Sequence, residues 1–403
     1  MGLIGSPTAL PIPPLANILM LHGLQTEPQG ATYDLSDQMV VLRSDTPGHG
    51  ELLDTTQDLT WKMTNDAGCW TQDAHGNRQS DHNHCNPDRG RLPARPSGST
   101  VNLKALALNV FYFMSSVDIE GNLVDANINH DNFNSDVQDL FLASAFTSTR
   151  IGGFDAFMAG NQATWVLGLG ASTNYGNFQT GAEISRSRGF IRTAKGLNGE
   201  AIDYFEISLP KIGEVGSFIL NGKSKDAGVT ARDVPASSTF CLLNTTVGGA
   251  YTVDVQNVCF QGSQCADVES SGPYILDSTA HVIRTDDAFA QSVAQSFVPQ
   301  AKLEYKADTV FEDMLWKVEC GARFNPDYLS VTLDVIWRVA FRIPANQMII
   351  TMPGGYCISA VQPVRKGDQY RLGRPFFRNT VLGFSPNNMT VHIEQRALPA
   401  NLH

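Results

Sequence analysis

A short pattern that occurs twice is the feature of this sequence that most constrains its fold. Two apolar residues lead into an aspartate, a hydroxyl residue and a threonine, first in residues 52–56 and again in residues 275–279. Each copy predicts a strand that ends at a tight turn and presents a carboxylate there. A triplet with Leu-Gly as its last two residues follows each copy, ending at Gly168 in the first case and at Gly373 in the second. The repeated order predicts two similar lobes rich in β structure, each of which contributes one aspartate to a single site.

The composition is that of a globular protein with a substantial core and many turns. Of the 403 residues, 42% are hydrophobic and 17% are charged, and the chain contains 35 glycines and 20 prolines. Helical patterns are scarce, with one expected at residues 286–297, so we predict an all-β, bilobal fold with a few short helices. We place the lobes at residues 1–212 and 213–403, because the connection between Pro210 and Gly216 is the best candidate boundary.

The net charge limits the classes of partner. At pH 7 the formal charge is −11 and the isoelectric point is near 5.2, which argues against nucleic acid or an anionic membrane. No apolar run approaches the roughly 18 residues that a membrane-spanning helix needs. We expect a monomer without a cofactor or a metal, whose ligand is a peptide, a small molecule or a protein bound between the lobes.

The cysteines and two glycosylation signals favour an oxidising compartment. Six cysteines form three pairs of sequence neighbours that could close local loops: Cys69 with Cys85, Cys259 with Cys265, and Cys320 with Cys357. The connectivity stays open at this level. Asn-x-Thr acceptors occur at Asn244 and Asn388. We expect a protein of the secretory pathway whose signal peptide has been removed, and an intracellular protein is the alternative.

The segment from Cys69 to about Thr100 is polar and predicts a long surface loop. Its run Asp81-His82-Asn83-His84-Cys85 offers zinc-type ligands, but the spacing matches no standard zinc finger and the segment has no Cys-x-x-Cys. We favour a solvated loop closed by one disulfide. The seventh cysteine, Cys241, is interpreted as a buried apolar residue rather than a nucleophile.

The repeated pattern resembles the pepsin-like aspartic proteases over nearly the whole chain. Asp54 with the downstream Trp61 is similar to the family's first Asp-Thr-Gly motif and its tryptophan, and Asp277 resembles the second aspartate. The elements that pass beneath each aspartate loop in that family are matched by Val166-Leu167-Gly168 and by Leu372-Gly373. The resemblance implies a catalytic pair of Asp54 and Asp277 and three disulfides at the three cysteine pairs.

The chain departs from the family next to both aspartates. Threonines replace the family's glycines, and two extra β-branched side chains at a crowded point predict either overpacking, at about 1–3 kcal/mol, or separation of the loops. The hydroxyl residue that follows in the family is also replaced. The four positions are Thr56 and Thr279 for the glycines, and Gln57 and Ala280 for the hydroxyl residues. Backbone N–H groups of the threonines could still serve the carboxylates, and Gln57 could donate from a longer arm.

The flap predicted by the resemblance is also unusual. Tyr112 lies where the family keeps its flap tyrosine, but Phe113 and Met114 replace the small residues that follow it. These bulky apolar side chains would narrow the cleft.

Two functions remain open. The first is a pepsin-fold protein that is not a conventional endopeptidase, with a cleft adapted to small-molecule chemistry or to binding a ligand or protein. The second is a secreted acid endopeptidase that hydrolyses peptide bonds with Asp54 and Asp277. His281 directly follows the second motif and could tune Asp277, although a structural role is the simpler interpretation. The residues that we expect to contact a ligand are Thr56, Gln57, Tyr112, Phe113, Met114, Thr279 and His281.

Overall fold

The fold is taken from a computed structural model of the chain. The structure describes residues 17–21, 41–43, 50–72, 77–81, 100–112, 115–126, 129–130, 133–135, 138–148, 163–170, 174–177, 182–186, 189–195, 201–209, 216–220, 230–235, 237–240, 249–260, 270–305, 314–333, 339–352, 355–364, 368–387 and 389–396.

Strands dominate the described residues, which confirms the predicted all-β class. The first sixteen are β1 Asn17–Leu21, β2 Val41–Arg43, β3 Gly50–Asp54, β4 Thr60–Gln72, β5 Arg78–Ser80, β6 Thr100–Tyr112, β7 Ser115–Ala126, β8 Asn129–His130, β9 Phe133–Ser135, β10 Gln138–Ser148, β11 Ala163–Gly168, β12 Asn174–Asn177, β13 Ala182–Arg186, β14 Ala194–Lys195, β15 Phe205–Ser208 and β16 Gly216–Leu220.

The remaining strands follow in the second half of the chain. They are β17 Thr230–Pro235, β18 Ser237–Phe240, β19 Gly249–Phe260, β20 Ser270–Leu276, β21 Ile283–Thr285, β22 Phe297–Val298, β23 Lys302–Tyr305, β24 Met314–Val318, β25 Arg323–Phe324, β26 Tyr328–Leu333, β27 Val339–Pro344, β28 Ile349–Thr351, β29 Cys357–Ser359, β30 Val361–Pro363, β31 Tyr370–Leu372, β32 Thr380–Ser385 and β33 Thr390–Gln395.

The helices of the described part are short. They are α1 Phe190–Thr193, α2 Asp287–Gln295, α3 Arg374–Phe377 and a 3₁₀ helix Ala345–Gln347. Helix α2 confirms the helix expected at 286–297, and the Asp286 carboxylate caps it by accepting a hydrogen bond from the Phe289 N–H at 2.8 Å. No helix in the described part of the chain is long and apolar enough to cross a membrane.

Two eight-stranded sheets carry the two aspartates in similar settings. The first has the order β2-β3-β11-β4-β10-β7-β6, with β5 paired to β4 as its eighth strand. The second has the order β27-β26-β19-β20-β31-β21-β30, with β18 paired to β19 as its eighth strand. In the first sheet, β11 runs parallel to β3, and Gly168 lies opposite Asp54. In the second, β31 runs parallel to β20, and Leu372 lies opposite Leu276. The repeated pattern in the sequence is therefore a repeated strand arrangement.

A six-stranded sheet joins strands from both halves of the chain. Its order is β1-β16-β15-β32-β33-β17. Strand β15 pairs with β16 on one side and with β32 on the other. The rings of Phe205 and Phe384 stack across the second pairing with centroids 4.8 Å apart. The proposed lobe boundary near Pro210 falls between two strands of this sheet, so the lobe assignment stays a proposal.

The predicted loop from Cys69 to about Thr100 is partly wrong. Strand β4 continues through Cys69 to Gln72 and pairs with β5, so ladder hydrogen bonds hold the start of this segment. The sequence did not indicate these strands because β5 is exposed and its residues are polar. The histidine-rich residues 82–90 lie outside the described residues.

The cysteine predictions are confirmed in part. Cys320 and Cys357 form a disulfide, and the sulfurs of Cys69 and Cys259 are also disulfide-bonded. Their expected partners, together with Cys241, Asn244 and Asn388, lie outside the described residues. These latter assignments stay predictions.

Candidate active site

Reciprocal hydrogen bonds hold the two aspartate turns back to back. We call residues 54–58 the first Asp loop and residues 277–281 the second Asp loop. The Thr55 N–H donates to Ser278 Oγ, and the Ser278 N–H donates to Thr55 Oγ1, each over 3.1 Å. The Thr55 hydroxyl also donates to Leu276 O and the Ser278 hydroxyl to Leu53 O, both at 2.8 Å. The hydroxyl of each loop therefore hydrogen-bonds to a backbone N–H group of the other loop and to the carbonyl oxygen that precedes the other aspartate.

Glycines allow a strand to pass beneath each loop. A Cβ atom on Gly168 would collide with the backbone of Asp58 and Leu59, and one on Gly373 would collide with the carbonyl oxygens of Val282 and Ala280. Any side chain at either position would displace the loop above it. This close approach explains why both triplets end in glycine.

Asp54 is buried and accepts hydrogen bonds from neutral groups. Its side chain has no exposed surface. Oδ1 accepts from the Thr56 N–H at 2.8 Å and from the Thr56 hydroxyl at 2.6 Å, and Oδ2 accepts from Gln57 Nε2 at 2.8 Å. Burial raises the pKa of Asp54 to about 6, and the negative charge of Asp277 adds to this effect, while the hydrogen bonds from Thr56 and Gln57 oppose it.

Asp277 is equally buried but has a cation as partner. Its Oδ1 accepts from the Thr279 N–H at 2.9 Å, the Thr279 hydroxyl at 2.7 Å and the Ala280 N–H at 3.0 Å. Its Oδ2 forms an ion pair with Arg371 Nη1 at 2.6 Å, and the Arg371 side chain is only 12% exposed. Charge-assisted bonds of this length are roughly twice as strong as neutral ones. Four donors thus converge on this carboxylate.

A second arginine supports the second Asp loop from within the protein. Arg374 is 2% exposed. Its Nε donates to Ser278 O at 3.2 Å, and its Nη2 lies 3.4 Å from Thr279 O. Burial lowers the pKa of Arg374, as does the charge of Arg378, while Asp277 acts in the opposite direction.

The threonines that replace the family's glycines do not separate the loops, which answers the question that the sequence left open. The hydroxyls of Thr56 and Thr279 turn onto their own aspartates, and the hydrogen bonds between Thr55 and Ser278 stay intact. The backbone N–H groups of both threonines also reach the carboxylates, as the milder interpretation of the sequence expected. Gln57 donates to Asp54 as predicted.

The other expected site residues have different positions. His281 is buried, and burial together with the charges of Arg374 and Arg378 lowers its pKa, so its surroundings favour the neutral ring. Those surroundings favour the structural interpretation of His281. Tyr112 ends β6, whose last residue pairs with Ser115 of β7, which places it at the hairpin tip. Phe113 and Met114 lie outside the described residues.

Sequence reasoning missed both arginines. Arg371 lies 94 residues beyond Asp277, so their contact depends on the parallel pairing of β20 with β31. One signal was present, since Arg371 occupies a position that is apolar in the first triplet, where the residue is Val166.

A pocket of about 470 Å³ lies beside the first Asp loop and does not include either aspartate. Its lining joins that loop to α1 and to the β32–β33 turn through Asp58, Gly168, Gly170, Arg192 and Asn387 among others. It is therefore distinct from the aspartate pair.

Comparison with known proteins agrees with this geometry. Residues 231–396 match the family model described as eukaryotic aspartyl protease. The matched segment contains the second Asp loop and both arginines. No curated protein matches the chain. This segment is therefore similar to the eukaryotic aspartyl proteases, and the strand arrangement of the described residues is that of an all-β, pepsin-like fold.

Proposed function

We propose that this pepsin-fold protein binds a peptide or small-molecule ligand in its cleft and does not act as a conventional endopeptidase. The carrying observation is the Asp277 carboxylate, which accepts three hydrogen bonds at Oδ1 and the ion pair from Arg371 at Oδ2. A carboxylate offers about four lone-pair positions in all. Three donors share the two lone pairs of Oδ1, and the Arg371 cation is paired with Oδ2.

This arrangement opposes peptide hydrolysis by the usual route. In that route one carboxylate takes a proton from a water held between the pair, while the other protonates the substrate carbonyl. A proton taken up by Asp277 would neutralise the carboxylate and so cost the charge pairing with Arg371. Asp54 has three donors and one position left, so it can still form a hydrogen bond to a ligand.

The burial of the pair also supports a binding role. Asp54 and Asp277 are each 0% exposed, so both carboxylates are shielded from bulk water. Removing a buried acid from water makes each hydrogen bond that it forms with a ligand stronger. We place this protein in the secretory pathway, consistent with the disulfide between Cys320 and Cys357.

The alternative function is acid endopeptidase activity with Asp54 and Asp277. The reciprocal bonds between Thr55 and Ser278 favour it, because they hold the loops in the back-to-back arrangement that a shared proton needs.

Two assays on one protein separate these functions. We would incubate it with an unfolded protein at pH 3–5 and measure cleavage, and titrate it calorimetrically with a statine-type peptide mimic. We expect no cleavage and measurable binding that Asp54→Asn weakens at least tenfold. Asp254→Asn is the matched control, since Asp254 is exposed on β19. Cleavage that Asp54→Asn abolishes would establish the endopeptidase instead, and absence of both cleavage and binding would remove the proposed cleft function.

A further inference from the structure

The two halves of the site differ at matching positions beneath the Asp loops. Val166 and Leu169 flank Leu167 and Gly168 in the first half, and both are fully buried. Arg371 and Arg374 flank the corresponding Leu-Gly pair in the second half. The strand register supports this equivalence, since β11 lies parallel to β3 and β31 lies parallel to β20.

We propose that Arg371 is a positioning residue that makes the aspartate pair unequal, holding Asp277 as a fixed anion and leaving Asp54 as the member that exchanges a proton. This inference goes beyond the proposed function and is independent of it, since it concerns where the proton resides whether or not the cleft cleaves a peptide.

The ion pair carries the first step of the argument. Arg371 Nη1 lies 2.6 Å from Asp277 Oδ2, and Asp277 is fully buried. In such surroundings charges interact more strongly than in water and salt screens them less. An arginine does not lose its proton at ordinary pH, so its partner gains most by staying ionised.

The second step concerns the supporting cation. Arg374 donates to the carbonyl oxygens of Ser278 and Thr279. Burial and the charge of Arg378 lower the pKa of Arg374 and Asp277 opposes them, but an arginine keeps its proton at ordinary pH. It therefore adds a second positive charge on the side of the second Asp loop. Among the described residues, the groups that hydrogen-bond to Asp54 are Thr56 and Gln57, and both donate as neutral groups.

The third step names the ligand chemistry. The ionisable groups that act on the pair from the packed elements are Asp54, Asp277, Arg371 and Arg374. With Asp277 neutralised by Arg371, protonated Asp54 presents an O–H donor. It fits an uncharged ligand with an acceptor oxygen, such as a peptide carbonyl or an alcohol, and loses that donor as the pH rises through about 6.

The test is a carbon-13 NMR titration of the aspartate carboxyl groups in the full chain between pH 3 and 8, without ligand. Signals are assigned with Asp54→Asn and Asp277→Asn. We expect one carboxyl of the pair, Asp54, to change with a midpoint near 6 while Asp277 keeps the shift of a carboxylate there. Equal changes of both signals with one midpoint would overturn the proposal.

Variants at Arg371 test the cause. Arg371→Gln removes the counter-charge, so we expect the last proton of the pair to leave at a pH about one unit higher or more. Arg371→Lys keeps the charge and is expected to restore the wild-type midpoint to within about half a unit. Arg323→Gln is the control, because Arg323 is exposed on β25 of the same half. If Arg371→Gln behaves like Arg323→Gln, the proposal fails, and if it does not fold, the wild-type titration and Arg371→Lys decide.

Discussion

At the scale of single residues, the four side chains next to the aspartates decide how the site differs from that of the pepsin-like proteases, which it resembles. Thr56 and Thr279 replace glycines, yet each donates its hydroxyl to its own aspartate. The sequence revealed these substitutions, but it could not show which way the hydroxyls turn. Their direction depends on the packing of the two loops against each other.

The raised pKa of Asp54 makes the stability of the fold depend on pH. Its pKa rises from 3.8 to about 6 on folding. The folded state therefore holds the proton more tightly than the unfolded state, so this stabilisation is full below about pH 3.8 and is lost as the pH rises through about 6.

Asp54→Asn is expected to become more stable relative to the wild type as the pH rises. The difference in unfolding free energy should change in favour of the variant by up to about 3 kcal/mol between pH 4 and pH 7.5. Urea denaturation at both pH values measures it, with Asp254→Asn as the control. A difference in unfolding free energy that does not vary with pH would show that folding does not raise the pKa of Asp54.

Thr56→Val tests the hydrogen bond from the Thr56 hydroxyl to Asp54. The substitution keeps the shape and removes a hydrogen bond that lowers the pKa of Asp54, so we expect that pKa to rise above 6. The carboxyl NMR titration measures it, with Thr351→Val on the exposed end of β28 as control. A fall in the pKa would contradict the assigned hydrogen bond.

At the scale of elements, the Asp loops exist because each sheet places a parallel strand beside the strand that precedes the aspartate. The repeated apolar-Asp-hydroxyl-Thr pattern predicted the two strands that end at an aspartate, because that pattern is local in sequence. The passage of the two triplets beneath the loops was expected only from the family resemblance. The contact between Arg371 and Asp277 was not predicted, since residues 94 positions apart meet only through the pairing of β20 with β31. The last residues of β4, from Cys69 to Gln72, were predicted as a loop because the sequence around them is polar.

Thr55→Ala tests the hydrogen bonds between the loops. It leaves the Ser278 N–H without its acceptor and Leu276 O without a donor, both buried. We expect a loss of about 1–3 kcal/mol in unfolding free energy. Ser144→Ala is the control, because the hydroxyl of Ser144 donates to Glu120 O on the exposed surface. Equal stability of the two variants in thermal denaturation would contradict the interlocking role.

At the scale of the whole molecule, the six-stranded sheet connects the two halves on which the aspartate pair depends. Phe384 of β32 stacks on Phe205 of β15, and it also packs on Tyr251 with centroids 4.7 Å apart. The sequence predicted strands here, but their joint sheet depends on pairing across most of the chain.

Phe384→Ala should destabilise both halves together. The cavity is expected to cost about 3–5 kcal/mol of unfolding free energy. Leu303→Ala is the control, since Leu303 is 39% exposed. Calorimetry measures the effect, and an unchanged transition would exclude Phe384 from the shared core.

The central claim is that Arg371 holds Asp277 in an ion pair and thereby opposes the part of Asp277 in the usual hydrolytic route. A crystal structure at about pH 5 with the statine-type mimic bound tests it most directly. We predict that Arg371 Nη1 stays within about 3 Å of Asp277 Oδ2, while the mimic's hydroxyl contacts Asp54 alone. An Arg371 side chain turned away, with the hydroxyl shared equally between Asp54 and Asp277, would contradict the claim.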